Sequence, residues 1–185
     1  MKKLLFILCT TIFAVGCNDK SGSTDAKSSD TTKVAETKME KIDYPYTLDR
    51  PYQDWQPGDQ KHAVTVMSAL KGFENGDIAA SMKGFGDSIN IRFDGFRQKF
   101  SHDSLATFFT GARAQYASLK IDMGDWESVI SKDGKEEWVT LWYKQNMTDK
   151  KGKADSLAVI NDFKIVNGKI VELDEKIQHF PAAKK

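Results

Sequence analysis

The stretches ALKGFENGDIAASMKGFGDSINIRF, residues 69–93, and DSLAVINDFKIVNGKIVELDEKI, residues 155–177, decide the fold. The first continues an apolar stripe of Ala63, Val66, Met67, Leu70 and Phe73 at helical spacing, with Asp59 placed to cap its start. Asn75-Gly76 ends that helix. Asp77 then caps a second, shorter helix with Ile78, Met82 and Phe85 on its apolar side, broken by Gly84 and Gly86. Ile89, Ile91 and Phe93 alternate with Asn90 and Arg92, the period of a half-buried strand. In the second stretch Leu157, Val159, Phe163 and Ile165 line one strand face, and Asn161 interrupts them. Asn167-Gly168 is a hairpin signal.

Working outward, Asp94-Gly95 turns the chain into a brief strand over Phe96–Phe100. Ser101 or Asp103 caps a third helix with the stripe Leu105, Phe108, Phe109, Ala112 and Tyr116. Four long strands follow, near 118–131, 136–148, 155–166 and 169–179. They are divided by Asp133-Gly134, Lys151-Gly152 and Asn167-Gly168. At about twelve residues each they are twice the usual length, so they must twist and bulge. One bulge is written in the pattern: Leu119, Ile121 and Met123 are odd, Trp126, Ser128 and Ile130 are even, and the parity switches at Gly124-Asp125.

This order resembles the nuclear transport factor 2-like superfamily over roughly residues 59–180. That superfamily includes ketosteroid isomerases, SnoaL-type polyketide cyclases and many ligand-binding proteins. The resemblance implies an α+β fold of the cystatin-like, α+β barrel kind: a cone-shaped, strongly curved antiparallel sheet wrapped against three helices, with a cavity inside. It implies little about reaction, because such a fold hosts many activities.

Residues 1–17, MKKLLFILCTTIFAVGC, begin with a positive pair, Lys2 and Lys3, followed by an apolar run from Leu4 to Val15. That run covers roughly 18 Å as a helix, against a hydrocarbon core of about 30 Å, so it reads as a signal segment and not a span. Ala14-Val15-Gly16-Cys17 resembles the lipobox of bacterial lipoproteins, which implies cleavage after residue 16 and an acylated Cys17. Cleavage takes Lys2 and Lys3 from the 27 basic residues, against 26 acidic ones, and turns the formal charge from +1 to negative. The lipidated chain is then expected in the cell envelope, at the outer membrane, anchored to the bilayer without crossing it; the face stays open.

Residues 18–41 are rich in Ser, Thr, Asp and Lys and hold no aromatic residue. They read as a flexible tether with a reach of roughly 25–30 Å. Residues 42–58 form an aromatic and proline strap, with Tyr44, Tyr46, Tyr52 and Trp55 among Pro45, Pro51 and Pro57. Its prolines disfavour helix and central strand. Either it packs on the domain or it acts as a lid. The domain itself runs over 59–181.

Only two cysteines exist, Cys9 and Cys17, both in the leader region. A disulfide scaffold, a thiolate metal site and a cysteine nucleophile in the folded body are thereby excluded. The near-neutral charge argues against nucleic acid as a partner. His62, His102 and His179 are far apart and lack metal-ligand spacing, so no metal is expected. No phosphate-binding glycine loop appears, since Gly84-x-Gly86 leads into a strand, and no cofactor is expected.

Inside a cone the polar residues on the apolar face matter most. Counting back from a two-residue Asn167-Gly168 turn places Asn161 opposite Asp174. The Asp133-Gly134 turn places Trp126 opposite Leu141. Asn161, Asp174, Trp126, Tyr143 and Arg92 are therefore the candidate ligand-binding residues. Register across Lys151-Gly152 leaves open whether Trp142 or Tyr143 shares the face of Asn161. In ketosteroid isomerases the position of Asn161 holds a carboxylic acid, the first-helix tyrosine falls at Ala69, and the general base falls near Arg92 or Asp94. The resemblance thus implies that the isomerase tyrosine and base are missing here.

The strand 136–148 is apolar on both faces, with Val139, Leu141, Tyr143 and Met147 on one and Trp138 and Trp142 on the other. The second face needs cover, from the strap or from a second copy of the chain. Relatives commonly dimerise through the sheet, so the resemblance implies a homodimer. The leading expectation is an envelope lipoprotein whose cone binds a small apolar ligand or a protein partner without catalysis. The alternative is an isomerase, cyclase or dehydratase acting on a hydrophobic small molecule.

Overall fold

The computed structural model describes residues 43–48 and 53–180. The leader, Cys17 and the tether 18–41 lie outside the described residues, as do residues 42 and 49–52 of the strap. Every element that follows lies in the unit that begins at Thr47. Among the described residues no helix is long and apolar enough to cross a membrane.

Helix α1 (Gln60–Asn75) starts where Asp59 accepts a hydrogen bond from the Lys61 amide. It ends at Gly76, whose φ of 79° lets the chain reverse in a left-handed cap. Asp77 caps α2 (Ile78–Met82) through the Ala80 amide. Strands β2 (Phe85–Phe93) and β3 (Phe96–Ser101) form the expected hairpin through Asp94-Gly95. Ser101, of the two cap candidates, starts α3 (His102–Arg113). Tyr116 is not the end of that helix but the start of β4 (Tyr116–Ile130). Strands β5 (Glu137–Asp149), β6 (Ala154–Val166) and β7 (Lys169–His179) complete the meander. A two-residue strand, Gln56–Pro57, pairs with β4 at the edge, where a proline costs no ladder hydrogen bond. It precedes all other strands and is β1.

The seven strands form one curved, unclosed sheet in the order β1-β4-β5-β6-β7-β2-β3. The α+β cone of the sequence reading is present, with one difference. The sheet is antiparallel except where β2 lies parallel to β7. That contact joins the N-terminal hairpin to the last strand, a long-range pairing that local hairpin signals do not specify.

The inner face carries the core. Val66 and Ala69 of α1, Leu105 and Phe109 of α3, and Val139, Leu141, Val159 and Phe163 of the sheet are all buried. Gly72 lets α1 and α2 touch: a Cβ there would sit 2.4 Å from the Ser81 backbone nitrogen. Seven phenylalanines from α1, β2, β3 and α3 form a connected ring cluster. Phe109, for example, sits edge-on to Phe73 and Phe85 at 5.5 and 5.6 Å.

Of the four register shifts in the sheet, two bear on the inner face. One falls between Met123 and Asp125, where the parity switch in the sequence places it. The other lies in β7, where Lys164 pairs with Glu172 but Ile165 pairs with Ile170. Val171 is the extra residue, and it shifts the register of everything beyond it.

Candidate functional site

The Val171 bulge decides which side chains share the inner face. Asn161 pairs with Glu175, while Asp174 pairs with Asp162 and faces the other way. The expected Asn161–Asp174 pair is therefore corrected to Asn161–Glu175. The β5–β6 register settles the question that Lys151-Gly152 left open. Asn161 stands opposite Leu141, so Tyr143, two residues along, shares its face and Trp142 does not.

These side chains meet at a cavity of about 170 Å³ between the sheet and the helices. Its walls are mostly apolar, with Phe73, Phe93, Phe108 and Phe109 prominent. Tyr143, Gln145, Asn161 and Glu175 supply polar atoms on the sheet side, and Ser81 on the helix side. The Asn161 amide donates to the Tyr143 hydroxyl at 2.9 Å. Asn161 is 2% exposed, and its Oδ1 has no hydrogen-bond partner. Burial pushes the Glu175 carboxyl above the ordinary glutamate range, against a smaller opposing pull from Asn161. Burial also raises the Tyr143 hydroxyl well above its usual value, and the nearby Glu175 charge adds to this. The floor is thus a neutral phenol, a primary amide and a carboxyl that resists ionisation.

The other candidates lie elsewhere. Arg92 pairs with Asp174 in the β2–β7 register and bridges Glu172 and Asp174 by charge. Both belong to a groove on the outer sheet face with Trp138, Thr140 and Asp162, to which the strap contributes Leu48 and Trp55. The period of two puts Arg92 outside because Ile91 and Phe93 flank it inward. Its charges are matched there: Lys176 meets Asp162 and Asp174, and Lys164 meets Glu136. Trp126 is opposite Leu141, as the turn count places it, but it is 46% exposed. Its indole N–H reaches Gln60 at the start of α1, away from the cavity.

The isomerase positions can also be placed. Ala69 lines the cavity with a methyl group, so no hydroxyl enters from α1 there. Asp94 sits in the β2–β3 turn and Arg92 on the outer face, and neither lines the cavity. Glu175 is the carboxylate that does. Sequence reasoning missed it, although a signal existed: Ile170 is even and Leu173 odd, the same parity switch that marks the β4 bulge. Among the described residues no group of three or more metal-ligating side chains is gathered.

No family model and no curated protein matches the chain. Solved structures do match in fold. An epoxide hydrolase/cyclase-like enzyme, SalBIII, described for pyran ring formation in polyether salinomycin, is 18% identical with a TM-score of 0.54, covering 69% of this chain and 95% of that one. A nuclear transport factor 2-like protein of unknown function from Burkholderia pseudomallei is 13% identical with a TM-score of 0.53, covering 64% and 91%. An epoxide hydrolase from M. tuberculosis is 15% identical with a TM-score of 0.51, covering 64% and 84%. The curved sheet, the three helices over its inner face and these likenesses together give the chain the nuclear transport factor 2-like fold.

Proposed function

We propose that this chain is a membrane-tethered envelope lipoprotein whose cone domain binds a small apolar molecule. The observation that carries the binding reading is the cavity itself: phenylalanine walls around a floor of Tyr143, Asn161 and Glu175. Such a cavity, mostly apolar with a few convergent polar groups, is the usual form of a small-molecule site. Of the residues expected from the sequence, Asn161 and Tyr143 line this cavity, and Arg92, Asp174 and Trp126 do not line it. The lipobox-like Ala14-Val15-Gly16-Cys17 supports the tether and the envelope location. One acyl chain binds a bilayer only marginally, so the tether rests on the diacylglyceryl group that resemblance to bacterial lipoproteins implies at Cys17.

A homodimer through the outer sheet face is part of this reading. The strap residues Leu48 and Trp55 share a groove with Trp138, but Trp142 and the 37% exposed Ile160 lie on the same face beyond it. A second, catalytic reading has one observation in its favour: Glu175 is a carboxyl of raised pKa in an apolar cavity, an environment that favours a general acid. Two of the fold neighbours are described as an epoxide hydrolase and an epoxide hydrolase/cyclase-like enzyme, which is compatible with it.

Native mass spectrometry of protein taken from its own membranes tests the leading reading. The expected result is a chain beginning at an acylated Cys17, paired with a second copy and carrying a small neutral adduct. A chain that keeps residues 1–16 and carries no acyl group would refute the tether.

A further inference from the structure

The cavity floor is hydrogen-bonded in an incomplete way. The Asn161 amide donates to the Tyr143 oxygen and also hydrogen-bonds Glu175, yet its own carbonyl oxygen is buried and unpaired. A buried acceptor without a donor is costly to maintain, and native proteins rarely leave one unless a ligand or water completes it. The Tyr143 hydroxyl already accepts from Asn161, so its own proton is the donor it can offer a ligand. Glu175 stands directly across the strand pair from Asn161. Burial raises its pKa, which weakens its attraction for a cation.

We infer that the cavity selects uncharged ligands bearing a hydroxyl group, which donates to Asn161 Oδ1 and accepts from the Tyr143 hydroxyl. This rests on the binding reading above and adds the polar chemistry of the ligand. A hydroxyl supplies one donor and one acceptor at a single atom, which is what the pair lacks and offers. A ketone or ether of the same shape accepts from Tyr143 and leaves Asn161 Oδ1 orphaned. An ammonium group brings donors but must shed its water shell among phenylalanine walls. The size of the cavity limits the buried part of the ligand. Dry cavities of about 150 Å³ hold one benzene ring, so about 170 Å³ accommodates one six-membered ring and its hydroxyl.

The test uses three probes of one ring size, cyclohexanol, cyclohexanone and cyclohexylammonium, titrated against the full chain by ligand-observed NMR. Cyclohexanol is expected to bind at least about tenfold more tightly than either of the others, because the ketone leaves the buried acceptor unpaired and the ammonium must shed its water among apolar walls. In an Asn161→Leu chain, checked for folding by its thermal transition, the preference for alcohol over ketone should fall to less than about threefold. Equal binding of alcohol and ketone to the unaltered chain would overturn the hydroxyl selection and leave the apolar binding reading intact. Tighter binding of the ammonium would overturn it in favour of an ionised Glu175. No saturable binding of any probe would overturn both, and this comparison needs no variant to fold.

Discussion

Asn161 on β6 donates to the hydroxyl of Tyr143 on β5 across 2.9 Å, and both are buried on the inner face of the sheet. The bond is diagonal across the strand pair, because Asn161 stands opposite Leu141. Removing one partner alone strands the other. Tyr143→Phe should lower stability by about 1–3 kcal/mol, since the Asn161 N–H then joins its carbonyl as an unpaired buried group. Adding Asn161→Leu to that variant should recover much of the loss, because two apolar groups leave nothing unsatisfied. Urea denaturation of the two variants decides this; a double variant weaker than the single would contradict it.

Glu175 predicts a pH dependence of definite sign. Its folded-state pKa lies above its unfolded value, so the native state holds its proton longer than the unfolded chain does. Stability from this group is therefore complete below the ordinary glutamate range and declines as pH rises through the raised value. Glu175→Gln removes the decline. The difference in unfolding free energy between variant and parent should grow in favour of the variant from acid to neutral pH. A difference that stays flat would contradict the raised value.

Gly72 tests the helix packing that roofs the cavity. A methyl group there meets the Ser81 backbone at 2.4 Å, and backbone cannot swing aside as a side-chain tip can. Gly72→Ala should cost about 1–3 kcal/mol through overpacking, despite the better helix propensity of alanine. Gly111→Ala, in α3 with open space around its Cβ, is the control and should be neutral or stabilising. Thermal unfolding of both variants gives the comparison.

The outer face predicts assembly. A full chain with Cys17→Ser, which cannot be acylated there, should sediment as a dimer. Ile160→Lys should make it monomeric by placing a charge at the interface between copies. A parent chain that stays monomeric at every concentration would leave the strap as the cover of this face.

What the sequence disclosed follows from how local each signal is. Asp59, Gly76, Asp77 and Ser101 mark helix ends by chemistry that acts within three or four residues, and all four stand where that chemistry places them. The Gly124 bulge was legible because the apolar parity changes across it. Asp174 was misplaced because the Asn167-Gly168 turn fixes the register only as far as the next irregularity. Val171 comes three residues later, and a shift of one residue turns every side chain to the other face. Arg92 was drawn toward the site by its position in a resemblance, while the strand period already sent it outward. The parallel β2–β7 contact and the phenylalanine cluster depend on the whole chain closing, and no short window of sequence contains them.

On the proposed function, a small apolar molecule enters the cone and sits on the Tyr143–Asn161–Glu175 floor. The most direct measurement is a protein-observed NMR titration of the full chain with cyclohexanol, following backbone amides and the Asn161 side-chain amide. Saturable shifts should appear together at Ala69, Phe108, Tyr143 and Glu175, with the Asn161 amide among the largest. Shifts confined to the outer groove around Trp138 and Arg92, or none at saturating concentration, would contradict the account.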